Sequence, residues 1–84
     1  MTRAKWLTEK TAAEVQKRYS GTIEAAIGKA RATRDRATVQ ASDGAEAYAY
    51  PKPRGDIAWG VNASDGFNLL RCLRRPDGID EAVG

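Results

Sequence analysis

Apolar side chains in the first third of the chain recur at steps of three and four residues. They form a stripe that consists of Val15, Tyr19, Ile23, Ala26, Ile27 and Ala30. Because residues three and four apart share one face of an α-helix, this spacing predicts an N-terminal amphipathic helix. Thr11 followed by Glu14 is a capping-box pattern near its start. Gly21 interrupts the stripe without changing its phase, so a continuous helix and a helix broken at Gly21 both remain open.

Alternating apolar and polar residues in the middle of the chain predict three short strands. The first two strands cover residues 37–41 and 45–50, and they flank Asp43-Gly44, a pair typical of β-hairpins. The segment 51–55 contains two prolines that cannot donate to a β-ladder, so we interpret it as a loop. The third strand covers residues 56–61.

The turn of the first hairpin decides which side chains share a face of the sheet. A two-residue Asp43-Gly44 turn sets Val39 opposite Tyr48 and brings Val39 and both tyrosines to one face. A three-residue loop with a glycine bulge shifts the register by one residue and moves the tyrosines to the other face. The first register buries more apolar area, and it is the preferred prediction.

A second helix is predicted near the C-terminus. Phe67, Leu70 and Leu73 are three residues apart after Ser64, a residue type that caps helices, and Pro76 follows them. We therefore expect an α+β fold with an N-terminal amphipathic helix, a three-stranded antiparallel sheet and a C-terminal helix. Residues 1–76 are expected to form a single domain, and residues 77–84 an acidic, flexible tail.

Composition indicates a thin core and an intracellular protein. Leu, Ile, Val and Phe together number thirteen of the 84 residues, a share below the roughly 20% that is usual for folded domains. Cys72 is the only cysteine, so an internal disulfide is excluded. The N-terminal segment lacks the apolar run of a secretory signal, and no stretch approaches membrane-spanning length. We expect a cytoplasmic protein without membrane contact, and a homodimer remains open.

The residues that most enzymes use are missing from the sequence. It contains no histidine, which removes the commonest general base and a common metal ligand. A single cysteine without histidine lacks an activating base, and no glycine-rich phosphate loop occurs. The sequence therefore predicts a protein that is not an enzyme and that uses no cofactor or metal.

Basic residues form three clusters that could contact a partner. Residues 1–76 hold all fourteen Lys and Arg against eight acids, a net charge of +6. Arginine outnumbers lysine in the clusters, which suits contact with phosphate or carboxylate groups. Trp6 and Tyr50 are candidate apolar anchors at such a surface. The candidate partner-binding residues are Trp6, Lys29, Arg31, Arg34, Arg36, Tyr50, Lys52, Arg54, Arg71, Arg74 and Arg75.

These features favour a small binding protein that acts by steric contact with a macromolecular partner. A protein partner is preferred, and nucleic acid is the second choice. Compact proteins without catalytic residues are frequent among phage and mobile-element accessory proteins, which suggests an inhibitor of a host defence complex that handles nucleic acid. The alternative hypothesis is a winged-helix-like DNA-binding regulator, with residues 22–36 as the recognition helix and 37–50 as the wing.

Overall fold

The computed structural model describes residues 9–83 of the chain, in which two helices precede five strands. The elements are α1 Glu9–Arg18, α2 Ser20–Thr33, β1 Ala37–Gln40, β2 Glu46–Pro51, β3 Ile57–Asn62, β4 Asn68–Arg74 and β5 Asp80–Ala82. The strands form one antiparallel sheet in the order β1-β2-β3-β4-β5, so each strand pairs with its neighbour in the chain. The α+β class is confirmed. The prediction of a three-stranded sheet and a C-terminal helix is wrong.

The N-terminal helical region is interrupted at Tyr19 and not at Gly21. Tyr19 has φ −109° and ψ 19°, outside the helical range, whereas Gly21 lies in the first turn of α2. The Tyr19 amide still donates to the Val15 carbonyl at 3.1 Å, and the Tyr19 carbonyl accepts from the Ile23 amide at 2.8 Å. Because these bonds bridge the interruption, the apolar stripe keeps its phase from α1 into α2.

All four hairpins of the sheet are closed by the same turn. In residues 41–45, the Ala41 amide donates to the Ala45 carbonyl, and the Gly44 amide donates to the Ala41 carbonyl. The same two bonds close residues 52–56, 63–67 and 75–79. The fourth residue of each turn is a glycine with φ between 88° and 90°. Glycine adopts this left-handed conformation without steric cost, and a three-residue loop with a glycine bulge requires it.

This turn type overturns the preferred register of the first hairpin. Val39 lies opposite Ala47 and Thr38 lies opposite Tyr48. Successive side chains of a strand point to opposite faces. Ala47 and Ala49 are buried, so Tyr48 and Tyr50 point away from the core. The register that buries more tyrosine area is wrong, because a two-residue type I′ turn needs a positive φ at both Asp43 and Gly44, and only Gly44 has one.

Strand β4 occupies the place of the predicted C-terminal helix. Asp65 and Gly66 belong to the turn before it, and the Asp65 carboxylate accepts a hydrogen bond from the Phe67 amide at 3.0 Å. Leu70 and Cys72 then point into the core. Apolar residues on both faces of this strand imitate the three-residue spacing of a helix.

The segment 77–84, expected as a flexible tail, contains β5, which pairs with β4.

The helices and one face of the sheet enclose the core. It consists of Ile23, Ala26, Ile27, Ala30, Ala37, Ala45, Ala47, Ala49, Ile57, Trp59, Val61, Leu70 and Cys72. Small alanines of α2 meet small alanines of β1 and β2, which permits a close approach of the helix to the sheet. Trp59 supplies the largest buried side chain.

A polar network anchors β5 to both helices. The guanidinium of Arg74 makes paired hydrogen bonds to Glu24 on α2, at 2.8 and 2.7 Å, and to Asp80 on β5, at 2.9 and 3.0 Å. Asp80 also accepts from Trp59 Nε1 at 3.0 Å and from Gln16 Nε2 on α1 at 2.9 Å. Five elements therefore meet at one carboxylate and one guanidinium.

Candidate binding face

The sheet presents a second face that no described helix or strand covers. We call it the open face and define it by Arg36, Tyr48, Tyr50, Lys52, Ala58, Gly60, Arg71 and Leu73. Its strands place side chains in two rows, Tyr48–Gly60–Arg71 and Tyr50–Ala58–Leu73. Both rows have a large side chain on β2, a small residue on the central strand β3 and a large side chain on β4.

The small side chain of Ala58 leaves a depression between the large residues of β2 and β4. Its volume is about 230 Å³, and Tyr48, Tyr50 and Lys52 line one side of it, with Arg71, Leu73 and Val83 on the other. The hydroxyl of Tyr48 occupies the place that a β-carbon on Gly60 would take. Strands lie about 4.8 Å apart, so β2 and β4 are separated by about 10 Å. A planar group of the size of an aromatic ring fits into this width.

The tyrosines of the open face are in contact with each other and with two cations. The Tyr48 and Tyr50 rings are nearly parallel, with an interplanar angle of 12° and centroids 6.4 Å apart. The Arg36 guanidinium lies 5.0 Å from the Tyr48 centroid and 5.8 Å from that of Tyr50. The Lys52 ammonium lies 5.7 Å from the Tyr50 centroid. These distances are within the range of cation–π attraction, which orients the rings and the cations together.

The open face carries an excess of positive charge. Among the described residues, Arg36, Lys52 and Arg71 have no carboxylate within ion-pair distance. Glu46 lies on the same face at the far end of β2, beside Asn62. Glu81 lies opposite Leu73 on β5, and it forms an ion pair with Arg75. Three cations without acidic partners thus surround the tyrosines.

The structure brings together four of the predicted partner-binding residues. Arg36, Tyr50, Lys52 and Arg71 belong to the open face, although the sequence analysis assigned Tyr50, Lys52 and Arg71 to a strand, a loop and a helix. Arg54 is exposed in the turn that follows Lys52. Arg34 ends α2 in a left-handed conformation with φ 58°. Both lie at the end of the sheet from which Arg36 and Lys52 extend.

The remaining predicted residues lie elsewhere. Lys29 and Arg31 are exposed on α2, in the helical layer. Arg74 is engaged by Glu24 and Asp80 behind the sheet, and its side chain is only 12% exposed. Arg75 pairs with Glu81. Trp6 lies outside the described residues.

Two large side chains of the open face, Tyr48 and Leu73, are not among the residues predicted from the sequence, and both omissions follow from the errors in register and fold. Tyr48 was placed in the core because the wrong hairpin register turned it inward. Leu73 was assigned to the apolar face of a helix. The signal that could have placed both is the repeated Ala-Ser-Asp-Gly of residues 41–44 and 63–66, which marks two identical turns.

The thiol of Cys72 is buried and has low reactivity. Burial and the nearby Asp80 carboxylate raise the pKa of Cys72 to about 12. The thiolate is the reactive form of cysteine, so Cys72 stays protonated and unreactive at neutral pH. No cluster of three or more metal-ligating side chains occurs within residues 12–83. The open face offers aromatic surface, guanidinium and ammonium groups, which bind ligands by stacking and charge.

No protein-family model matches the chain, and neither a curated protein nor a solved structure shows significant similarity to it. Within residues 9–83, neither helix has the length and apolar character that a membrane crossing requires.

Proposed function

We propose that this chain is a non-enzymatic binding protein that contacts a macromolecular partner through its open face. The observation that carries the proposal is the group of three cations without acidic partners around two tyrosines. A guanidinium or ammonium group without a counter-ion attracts anionic groups of a ligand. Tyrosine and arginine are also the residue types that contribute most to binding energy at interfaces.

The shape of the open face suits a flat contact more than a small molecule. Its depression is shallow and lies between two rows of side chains that cross three strands. Small-molecule sites commonly bury most of the ligand in a deeper pocket of about 300–1,000 Å³. A macromolecule can use the depression, Arg71 and the tyrosines at the same time, and this favours steric contact as the mode of action.

The position of residues 37–50 gives little support to the winged-helix alternative. The hairpin expected as the wing, residues 37–50, is the first of four hairpins in a continuous sheet. Its inner face packs against α2 through Ala37, Ala47 and Ala49. This packing disfavours the use of the hairpin as a separate wing. The suggestion of a phage or mobile-element inhibitor stays a prediction.

The proposal predicts that polyanion binding depends on the face of the molecule and not on net charge alone. We expect the triple variant Arg36→Gln, Lys52→Gln, Arg71→Gln to elute from immobilised heparin at clearly lower salt than the unchanged protein. The control is Lys17→Gln, Lys29→Gln, Arg31→Gln, which removes the same charge from the exposed helical surface. The measurement is the salt concentration at elution, after circular dichroism has shown that both variants fold.

The two outcomes separate the proposal from nonspecific attraction. If the open-face variant loses much more retention than the control, the anionic partner binds at the open face. If both variants shift equally, retention reflects overall charge, and the open face is not a binding site.

A further inference from the structure

We infer that the ligand of the open face is single-stranded nucleic acid, with bases stacked on the tyrosines and phosphates held by the three cations. This inference rests on the proposed function and names its partner. Proteins that bind single strands combine a basic surface that follows the backbone with aromatic side chains on which bases stack. The open face places both components within one depression.

The tyrosines provide the stacking surface. Tyr50 is half-buried, and its ring borders the depression above Ala58, opposite Leu73. A base that enters there lies between an aromatic face and an aliphatic side chain. Tyr48 extends the aromatic surface along β2, because its ring is nearly parallel to that of Tyr50. Two neighbouring rings can take consecutive bases of a flexible strand.

The cations lie where a nucleic-acid backbone would pass. Arg36 lies over the rings of Tyr48 and Tyr50, Lys52 lies over the ring of Tyr50, and Arg71 lies across Gly60 on the β4 side. Arg36 can also stack on a base, because a guanidinium plane packs against the faces of bases as it does against tyrosine rings. Phosphates on either side of a stacked base therefore meet positive charge.

The geometry favours a single strand over a duplex. In a duplex the bases are stacked on one another, and only their edges are accessible in the grooves. The open face has no protruding helix or ribbon that enters a groove, and its aromatic rings need exposed base faces. An acidic protein surface could contact the cations and the tyrosines as well, but two nearly parallel rings suit the flat faces of unpaired bases best.

The test is fluorescence anisotropy with a labelled 12-nucleotide oligothymidine and a labelled 12-base-pair duplex, across a salt series. We expect the single strand to bind at least about tenfold more tightly than the duplex. Tyr50→Leu should weaken binding about 5- to 150-fold because it removes the stacking of one base, whereas Tyr50→Phe should retain it. Phe67→Ala, which removes an exposed aromatic ring at the other end of the sheet, is the control and should bind normally.

The salt dependence tests the phosphate contacts separately. If three phosphates are neutralised, the triple variant Arg36→Gln, Lys52→Gln, Arg71→Gln should reduce the slope of log K against log salt by about 2. An unchanged slope would contradict the assignment of these cations to phosphates.

The results distinguish this inference from the proposed function. Retention on heparin that depends on the open face, without measurable binding of the oligothymidine, overturns the inference and leaves an acidic protein surface as the partner. Equal affinity for the single strand and the duplex also overturns it. If the unchanged protein neither is retained on heparin nor binds the oligothymidine, the inference and the proposed function are overturned together.

Discussion

Tyr48 on β2 lies opposite Gly60 on β3, and the Tyr48 side chain needs the space that a larger residue at position 60 would fill. The register places them directly opposite, and the absence of a side chain on Gly60 leaves room for the Tyr48 ring. A β-carbon at position 60 would also lie 2.7 Å from the Leu70 carbonyl oxygen. Glycine in the interior of a strand usually weakens it. Here it permits the Tyr48 ring to lie against the central strand.

At the residue scale, Gly60→Ala is therefore expected to lower the free energy of unfolding by about 1–3 kcal/mol. The new methyl group displaces Tyr48 and presses on the backbone of β4, which has no freedom to move without breaking ladder bonds. Urea denaturation followed by circular dichroism measures the loss. Gly28→Ala in α2 is the matched control, since nothing lies within 4 Å of its β-carbon position. The control should be stabilised by up to about 1 kcal/mol, and a similar gain for Gly60→Ala would refute the argument.

At the scale of elements, the turns determine where every strand lies. The four turn glycines are spaced at intervals of 11, 11 and 12 residues, Gly44, Gly55, Gly66 and Gly78. The first, third and fourth turns have aspartate before glycine, and each carboxylate accepts the amide two residues later. This pattern predicts a meander of five strands from sequence alone. The apolar spacing of residues 67–73 conflicts with this turn pattern and favours a helix, and the helix predicted there is wrong.

Other parts of the fold could be predicted because a local pattern was sufficient. The apolar stripe from Val15 to Ala30 identified the helical region, since one packed face imposes that spacing. The basic residues of the open face were identified by type, but their convergence depends on strand register. Register is a long-range property that one turn can change, so placing Tyr48 and Leu73 requires the turn signal of residues 41–44 and 63–66 to be given more weight than local apolar spacing.

Strand β5 is short, and its attachment depends on Asp80. The pKa of Asp80 is lowered: burial alone would raise it, but hydrogen bonds from Arg74, Trp59 and Gln16 outweigh the burial. The pKa of Glu24 is lowered as well, mainly by its hydrogen bonds from Arg74. A carboxylate with a lowered pKa contributes stability above its unfolded value, and this contribution disappears as the pH falls through the folded value. The folded protein should therefore lose stability below about pH 4.

We expect Asp80→Asn to lower the free energy of unfolding by about 2 kcal/mol at pH 7, because it removes the charge that pairs with Arg74. The loss is limited because Glu24 still pairs with Arg74 after the change. The free energy of unfolding of the variant should also fall less steeply than that of the unchanged protein as the pH drops below about 4, where carboxyl groups begin to be protonated. Urea midpoints at several pH values provide the measurement, with Asp77→Asn as a control in the exposed turn. An acid dependence equal to that of the unchanged protein would show that Asp80 does not govern it.

At the scale of the whole molecule, stability and binding occupy opposite faces of one sheet. The helix-facing side holds the apolar core and the Arg74–Asp80 network, whereas the other side holds cations and aromatic rings without described cover. Substitutions on the open face should therefore change binding with little effect on folding. Arg74 illustrates the division: it was a candidate for partner contact, yet it lies behind the sheet and holds the elements together.

The close approach of α2 to the sheet makes the molecule sensitive to added volume. Ala26 is fully buried, at 0% exposure, against a sheet face rich in alanine. We expect Ala26→Leu to lower the free energy of unfolding by about 1–3 kcal/mol, since the extra atoms must push α2 from β1 and β2. Ala25→Leu, on the exposed side of the same helix, is the control and should change stability by less than about 0.5 kcal/mol. Small domains have total stabilities of about 5–15 kcal/mol, so the first loss is readily measured by urea denaturation followed by circular dichroism. Equal stability of the two variants would mean that α2 has room to adjust, and that the alanines are not what sets its distance from the sheet.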